Sequence, residues 1–145
     1  MDIPDKIITK SPQETASVGE EIGSTLEPSL MLCLYGELGS GKTTFVQGVA
    51  RGLGIMTRLL SPTFIIVRRH KIRESSGFLY HLDLYRAEEG NLEELAISDI
   101  LADSSSFIVV EWAQKLGDWL PKRRLDIFFS ALHDGTHEIR FEKSN

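Results

Sequence analysis

The chain has 145 residues, of which 41% are apolar and 26% charged, which is typical of a soluble globular protein, and we expect one domain over residues 1–145. Its formal net charge of -5 argues against a protein that binds nucleic acid over its whole surface. No apolar stretch is long enough to span a bilayer and the first residues lack the apolar segment of a signal peptide, so we expect a cytoplasmic location and no membrane partner.

The first predicted helix begins at the segment SPQE (11–14). Ser11 can cap the helix, Pro12 suits its first position, and Glu14 can bond back to the Ser11 amide as a capping box. The pattern predicts a helix that runs to about Leu26 and ends before Pro28.

The next two elements are a buried strand and an amphipathic helix. LMLCLY (30–35) is apolar on both faces, which predicts a central strand, and Cys33 within it is expected to be a core residue in a reducing compartment. A helix is predicted from Gly41 or Lys42 to a stop at Gly54. Its apolar face consists of Phe45, Val46, Val49, Ala50 and Leu53.

The rest of the chain reads as hairpins with helical segments between them. The basic runs RRHKIR and KRR are expected to be solvated turns or edges rather than phosphate-binding tracks. In chain order we predict an antiparallel hairpin from 63–70 and 78–85 with Gly77 near its turn, a helical region at 87–103, a buried strand at 107–110, and a last hairpin around Asp134-Gly135.

The segment GELGSGKT (36–43) matches the phosphate-binding P-loop pattern at every fixed position, and it lies between the predicted strand and helix. Glycines allow backbone N–H groups to surround phosphate oxygens, and the helix N-terminus faces the same anion. Lys42 would reach the β- and γ-phosphates, and Thr43 would bind Mg²⁺. We therefore predict a nucleotide polyphosphate with Mg²⁺, contacted by Gly39, Ser40, Gly41, Lys42, Thr43 and Thr44. The loop leaves open which nucleotide is bound; the family resemblance given below implies ATP or ADP.

The elements and this loop together predict an α/β fold, a P-loop NTPase-like mixed sheet with flanking helices and antiparallel hairpins. A magnesium-nucleotide site also needs a carboxylate at the end of a neighbouring strand, and two residues compete for that role. Glu111 follows the buried strand, and its alternative role is a surface ion pair. Asp83 lies in HLDLYR on the strand face of His81, and its alternatives are positioning of water or metal, or a structural bond to Arg86.

The segment SPTF (61–64) lies between the P-loop helix and the next strand, where P-loop hydrolases place a segment that senses the γ-phosphate. Thr63 could offer its hydroxyl to Mg²⁺ or phosphate. A Ser-Pro turn that leads into a strand explains the pattern equally well.

GELGSGKTTF, SPTF, HLDLYR, EEL and EW occur in this order, and with them the chain closely resembles the TsaE (YjeE) family of bacterial P-loop ATPases. The resemblance implies an auxiliary ATPase that docks on the TsaD–TsaB complex, where threonylcarbamoyladenosine is made beside the anticodon of tRNAs that read codons starting with A. By position it implies that Lys42 contacts phosphates, Thr43 and Glu111 hold Mg²⁺, Asp83 is a catalytic or switch carboxylate, and Trp112 is a functional aromatic. From its pattern alone Trp112 would be a core residue.

Two segments depart from the family pattern: Ala96 stands where glycine is frequent, and Arg68-Arg69-His70 stands where an aromatic residue is frequent. GTPase and ABC-type signatures are absent from the sequence. Two alternatives remain open, a nucleotide-dependent binding module with negligible turnover and a small-molecule kinase whose lid would be RRHKIR. Because Arg86 is only a candidate arginine finger and no base is evident, we expect slow turnover without a partner. The resemblance implies that tRNA is contacted only through the TsaD–TsaB complex.

Overall fold

The computed structural model describes residues 3–55, 67–72, 77–87 and 97–144. The first half of the chain contains β1 (Lys6–Thr9), α1 (Pro12–Thr25), β2 (Met31–Tyr35), α2 (Lys42–Gly52) and β3 (Val67–Lys71). The second half contains β4 (Phe78–Asp83), α3 (Ile97–Ala102), β5 (Phe107–Glu111), a 3₁₀ helix (Ala113–Trp119), β6 (Arg124–Ala131) and β7 (His137–Ser144).

The strands form one seven-stranded sheet in the order β1-β7-β6-β2-β5-β4-β3. Its centre is parallel, because β2 pairs with both β5 and β6 and β5 pairs with β4 in the same direction. Its two ends are antiparallel hairpins, β3–β4 and β6–β7, with β1 added beside β7. The predicted mixed sheet with flanking helices and hairpins is confirmed.

Most predicted elements are present, and one strand was missed. The sequence did not predict β1, whose four residues pair with β7 from the opposite end of the chain. Residues 68–71 of the basic run RRHKIR (68–73) lie on the edge strand β3, as expected. Parts of the predicted elements at 63–66 and 88–96 lie outside the described residues.

Helix α1 begins as predicted, with a small difference in its cap. The Ser11 side chain accepts a hydrogen bond from the Glu14 amide at 3.1 Å. The Glu14 carboxylate, however, accepts from the Lys10 amide at 3.1 Å and not from that of Ser11. The first turn of α1 is therefore fixed on both sides of its capping residue.

Helices α1 and α2 pack against each other through their backbones. A Cβ at Gly19 would meet the Phe45 carbonyl oxygen, and a Cβ at Gly48 would meet the Ala16 carbonyl oxygen. Gly23 and Gly52 make equivalent close approaches. Because no side chain separates the helices here, the start of α1 is held close to the loop that precedes α2.

Apolar side chains fill both faces of the sheet. One cluster lies beneath α1 and α2 and includes Leu32, Leu34, Phe45 and Val109. The other lies beneath α3 and the 3₁₀ helix and includes Cys33, which is fully buried as predicted and whose pKa burial raises to about 12. In the described parts of the chain, no helix has the length and apolar character required to cross a bilayer.

Candidate functional site

A cavity of about 460 Å³ lies at the carboxyl ends of the parallel strands β2, β4 and β5. Open α/β sheets bind ligands at this edge, and the volume is in the usual range for a small-molecule site. The loop 38–44 forms one wall, and the other lining residues are Pro12, Thr15, Asp83, Tyr85, Arg86, Glu111, Trp112 and His137.

The loop between β2 and α2 has the backbone geometry of an anion cradle. Gly39 and Gly41 have φ angles of 77° and 106°, a region that side chains disfavour, and Gly41 is the residue before the first turn of α2. The first amides of a helix have no carbonyl partner within it and point toward the loop. The Ser40 hydroxyl beside them is buried without a hydrogen-bond partner among the described residues. The loop thus presents several donors to one small volume.

Lys42 is buried at the base of the loop, with 5% of its surface exposed. Its ammonium group donates to the carbonyl oxygens of Gly36 and Glu37 and lies 4.5 Å from the centre of the Trp112 ring. Burial lowers the pKa of Lys42, while the nearby carboxylates of Glu111 and Asp83 act in the opposite direction. In this arrangement the Lys42 ammonium group is hydrogen-bonded to backbone carbonyls, and a bound phosphate group could replace these carbonyls as its partner.

Glu111 ends β5 and is 2% exposed. Its Oε2 atom lies 2.6 Å from His81 Nε2, and its Oε1 atom accepts a long hydrogen bond of 3.4 Å from the Thr43 hydroxyl. The alternative of a surface ion pair is therefore wrong, because this carboxylate is buried inside the site. Strand β5 brings it beside a residue 68 positions earlier in the chain.

Asp83 ends β4 and pairs in register with Glu111 on the neighbouring parallel strand. Its Oδ1 atom accepts from the Tyr85 amide at 3.0 Å, and no Asp83–Arg86 ion pair is found among the described residues. Burial raises the pKa of Asp83, opposed by the Tyr85 amide and reinforced by the charge of Glu111. The structural bond to Arg86 is thus not formed here, and Asp83 faces the cavity.

Trp112 covers one side of the cavity from a left-handed backbone position, φ 59° and ψ 44°. Its ring is half-buried and lies 4.9 Å from that of Tyr85. Lys115 on the 3₁₀ helix donates to the carbonyl oxygens of Tyr85 at 2.8 Å and Ala87 at 3.2 Å. These contacts attach the turn after β4 to the segment after β5. Trp112 lines the cavity and also packs against the core beneath the 3₁₀ helix, and its functional role stays a prediction.

The structure brings nearly all the predicted site residues to one cavity: Gly39, Ser40, Gly41, Lys42, Thr43, Thr44, Asp83, Glu111 and Trp112. Thr63 and the rest of SPTF lie outside the described residues. The sequence reading missed His81 as the partner of Glu111. The alternation along β4, which puts His81 on the face of Asp83, was the available signal.

The donors at this site fit a magnesium ion bound with a polyphosphate. A hydroxyl oxygen and a carboxylate oxygen are hard ligands of the kind Mg²⁺ takes, and the ion is commonly held by one or two such groups together with phosphates and water. A cradle of amides, the unpartnered Ser40 hydroxyl and Lys42 adjoin them. Thr43 and Glu111 are the residues that would hold the metal.

Comparison with known proteins identifies the family. Residues 9–139 match the family model "Threonylcarbamoyl adenosine biosynthesis protein TsaE". The tRNA threonylcarbamoyladenosine biosynthesis protein TsaE of Bacillus subtilis is 36% identical over 133 residues, which are 92% of this chain and 82% of that protein. The protein of the same name from Treponema pallidum is 36% identical over 138 residues, which are 92% of this chain and 97% of that protein.

A solved structure agrees with this assignment. The crystal structure of YdiB from Bacillus subtilis superposes with a TM-score of 0.79 at 34% identity, and the match covers 97% of this chain and 85% of YdiB. The residues matched by the family model include the glycine loop, Asp83, Glu111 and Trp112, and the structural match covers nearly the whole chain. This chain belongs to the TsaE family of threonylcarbamoyl adenosine biosynthesis proteins.

Proposed function

We propose that this protein binds and hydrolyses Mg²⁺-ATP in the cavity, as an auxiliary ATPase that tRNA N6-threonylcarbamoyladenosine modification requires and that works on the TsaD–TsaB complex. The observation that carries the proposal is the meeting of Thr43 and Glu111 beside the glycine loop. There a hydroxyl and a buried carboxylate from distant parts of the chain lie side by side, next to backbone amides that can bind phosphates.

The phosphate end of the nucleotide would lie in the loop. The amides of the first turn of α2 would donate to its oxygens, and Lys42 would exchange the carbonyls of Gly36 and Glu37 for the β- and γ-phosphates. This exchange removes the cation from the Trp112 ring, so Trp112 would report nucleotide binding.

The reacting end would lie between the carboxylates. Thr43 and Glu111 would hold Mg²⁺, which when bound neutralises charge on the phosphates. Asp83 faces the same space from the next strand and would orient the attacking water. Its raised pKa brings it closer to the range in which a carboxylate exchanges protons at neutral pH.

The nucleoside end would lie toward the start of α1 and the start of β7. That part of the cavity is lined by Pro12, Thr15 and His137. The Thr15 hydroxyl forms a hydrogen bond of 2.7 Å with the Thr9 hydroxyl. The ring of Pro12 is apolar and this part of the cavity has few charged groups, which suits the flat base of a nucleotide.

The partner would dock over the mouth of the cavity. Leu38 and Tyr85 are large apolar residues with 66% and 41% of their surfaces exposed, and both line the cavity. Arg86, also exposed, is the one arginine among the lining residues in the described parts of the chain. We propose that TsaD and TsaB cover this rim and accelerate a hydrolysis that is slow in the isolated protein, that tRNA is contacted only through the complex, and that the site of action is the cytoplasm.

The test is Lys42→Ala, because among the described residues Lys42 is the one lysine that lines the cavity, and the change leaves the backbone of the loop intact. We expect loss of ATP and ADP binding by calorimetry and loss of threonylcarbamoyl transfer in a mixture with TsaD, TsaB and tRNA, at an unchanged circular dichroism spectrum. Lys122→Ala, at an exposed position, is the control and should bind and support transfer normally. Normal transfer with Lys42→Ala would refute the proposed role. So would rapid phosphate release by the purified protein that TsaD and TsaB leave unchanged.

A further inference from the structure

His81 is not among the residues that line the cavity, and it contacts one of the two carboxylate oxygens of Glu111, Oε2. We infer that His81 is a positioning residue, which holds one carboxylate oxygen of Glu111 so that the other faces the metal position beside Thr43. This inference rests on the proposed magnesium-nucleotide function and assigns the two oxygens of Glu111 different partners.

The two oxygens of Glu111 are in unequal surroundings. Oε2 lies 2.6 Å from His81 Nε2, and the two side chains are 3% and 1% exposed. A contact this short between buried groups is typical of a hydrogen bond with a charged partner. Oε1 is 3.4 Å from the Thr43 hydroxyl, well beyond the usual distance for two oxygens, so it remains available to a further ligand. The protein thus uses Oε2 and leaves Oε1 open.

The partners of the two ring nitrogens of His81 favour a donor role for Nε2. A carboxylate that acts as a metal ligand has no hydrogen to give, so Nε2 must carry it. The Nδ1 atom is buried and has no hydrogen-bond partner in the described parts of the chain, where a second hydrogen would be left unpaired. The Nε2–H form of the ring therefore satisfies Glu111 best.

Neighbouring strands keep this contact rigid. In the β4–β5 register His81 is opposite Val109 and Asp83 is opposite Glu111, so the imidazole reaches forward along the sheet to the carboxylate. Leu79 and Val109 pack in the same core cluster below it. Two residues on the same face of β4 thus have different roles, since His81 holds the Glu111 side chain and Asp83 faces the cavity. Groups that orient a metal ligand in this way typically change metal affinity when they are removed.

The experiment measures how ADP affinity depends on Mg²⁺, using calorimetry at a series of Mg²⁺ concentrations and in EDTA. His81→Leu removes the donor, and we expect the Mg²⁺ concentration needed for half of the Mg²⁺ effect to rise about 10–100-fold. ADP affinity in EDTA should stay as in the wild type, because the phosphate cradle is intact. His81→Gln can return an amide donor to Glu111 and should recover most of the Mg²⁺ effect. Leu79→Ala, in the same strand and facing the same core, is the control for destabilisation alone.

A purely structural role makes a different prediction. It would lower ADP affinity equally with and without Mg²⁺, or leave both unchanged, and either result overturns the inference while the wild type still binds Mg²⁺-ADP. If the wild type shows no Mg²⁺-dependent binding, the proposed function itself fails and the inference with it. Should His81→Leu not fold, His81→Asn replaces it, since its shorter side chain cannot reach Glu111. A Mg²⁺ effect as large in His81→Asn as in His81→Gln would then refute the inference.

Discussion

Glu111 and Asp126 are buried carboxylates on the two strands that flank β2, but they lie on opposite faces of the sheet and have different partners. Glu111 on β5 pairs with Leu34, and Asp126 on β6 pairs with Cys33. They are 2% and 6% exposed. Burial is therefore not what distinguishes them.

The partners of Asp126 account for both of its oxygens. Arg124 Nε donates to each oxygen at 3.1 Å, and the Tyr35 hydroxyl donates to Oδ1 at 3.0 Å. The same guanidinium also donates to the Pro121 carbonyl at 2.8 Å, and burial together with Asp126 raises the pKa of Tyr35. Each oxygen of Asp126 therefore has a hydrogen-bond partner within the protein.

Glu111 has one firm partner and one oxygen that faces a cavity. Buried polar groups are nearly always satisfied, so an oxygen left with only a long contact indicates a place for something else. The number of hydrogen-bond partners, more than burial, therefore separates Asp126 from the carboxylate for which we propose a metal-binding role.

The strongest test of this contrast is Glu111→Gln. We expect at least about a tenfold loss of the Mg²⁺-dependent part of ATP affinity, because the amide is a poorer metal ligand of the same shape. The midpoint of thermal unfolding should not fall, since no buried cation depends on Glu111 alone. Titrations with and without Mg²⁺, with thermal denaturation alongside, measure both. A large loss of stability at unchanged binding would make Glu111 a structural residue like Asp126.

The converse test is Asp126→Ala. The change strands the Arg124 guanidinium and the Tyr35 hydroxyl, and we expect the free energy of unfolding to fall by about 1–3 kcal/mol, with Mg²⁺-ATP affinity unchanged. Glu142→Ala is the matched control, because Glu142 is opposite Asp126 on β7 but 54% exposed, and it should cost less than about 1 kcal/mol. Urea denaturation of the three proteins checks this. Equal losses for the two variants would remove the distinction.

Asp83→Asn gives the smallest expected effect and tests a carboxylate between these extremes. The raised pKa of Asp83 means that the folded state favours its protonated form, so its contribution to stability declines as the pH rises through that pKa. In Mg²⁺-free solution the midpoint of thermal unfolding of Asp83→Asn should match the wild type below about pH 4 and exceed it increasingly at higher pH. A constant difference across the pH range would show that Asp83 is not disfavoured as an anion.

The sequence predicted the parts of this site that depend on local pattern. The glycine loop lies between a buried strand and a helix, and Glu111 ends a buried strand, so both could be placed without a structure. The roles of His81 and Asp126 depend instead on which strands are neighbours and on their register. Strand β1 was missed for the same reason, since its partner β7 is at the far end of the chain and its four residues alternate only weakly.

If the proposed nucleotide site is occupied as described, the backbone contact between α1 and α2 has a consequence for its selectivity. α1 lines the nucleoside end of the proposed site and α2 begins at its phosphate end, so main-chain atoms at Gly19 and Gly48 set the spacing between the two ends. A larger residue at Gly19 or Gly48 would push the helices apart, and no replacement there can bring them closer. A variant that accepts a bulkier or smaller base would therefore have to change the far wall, around His137.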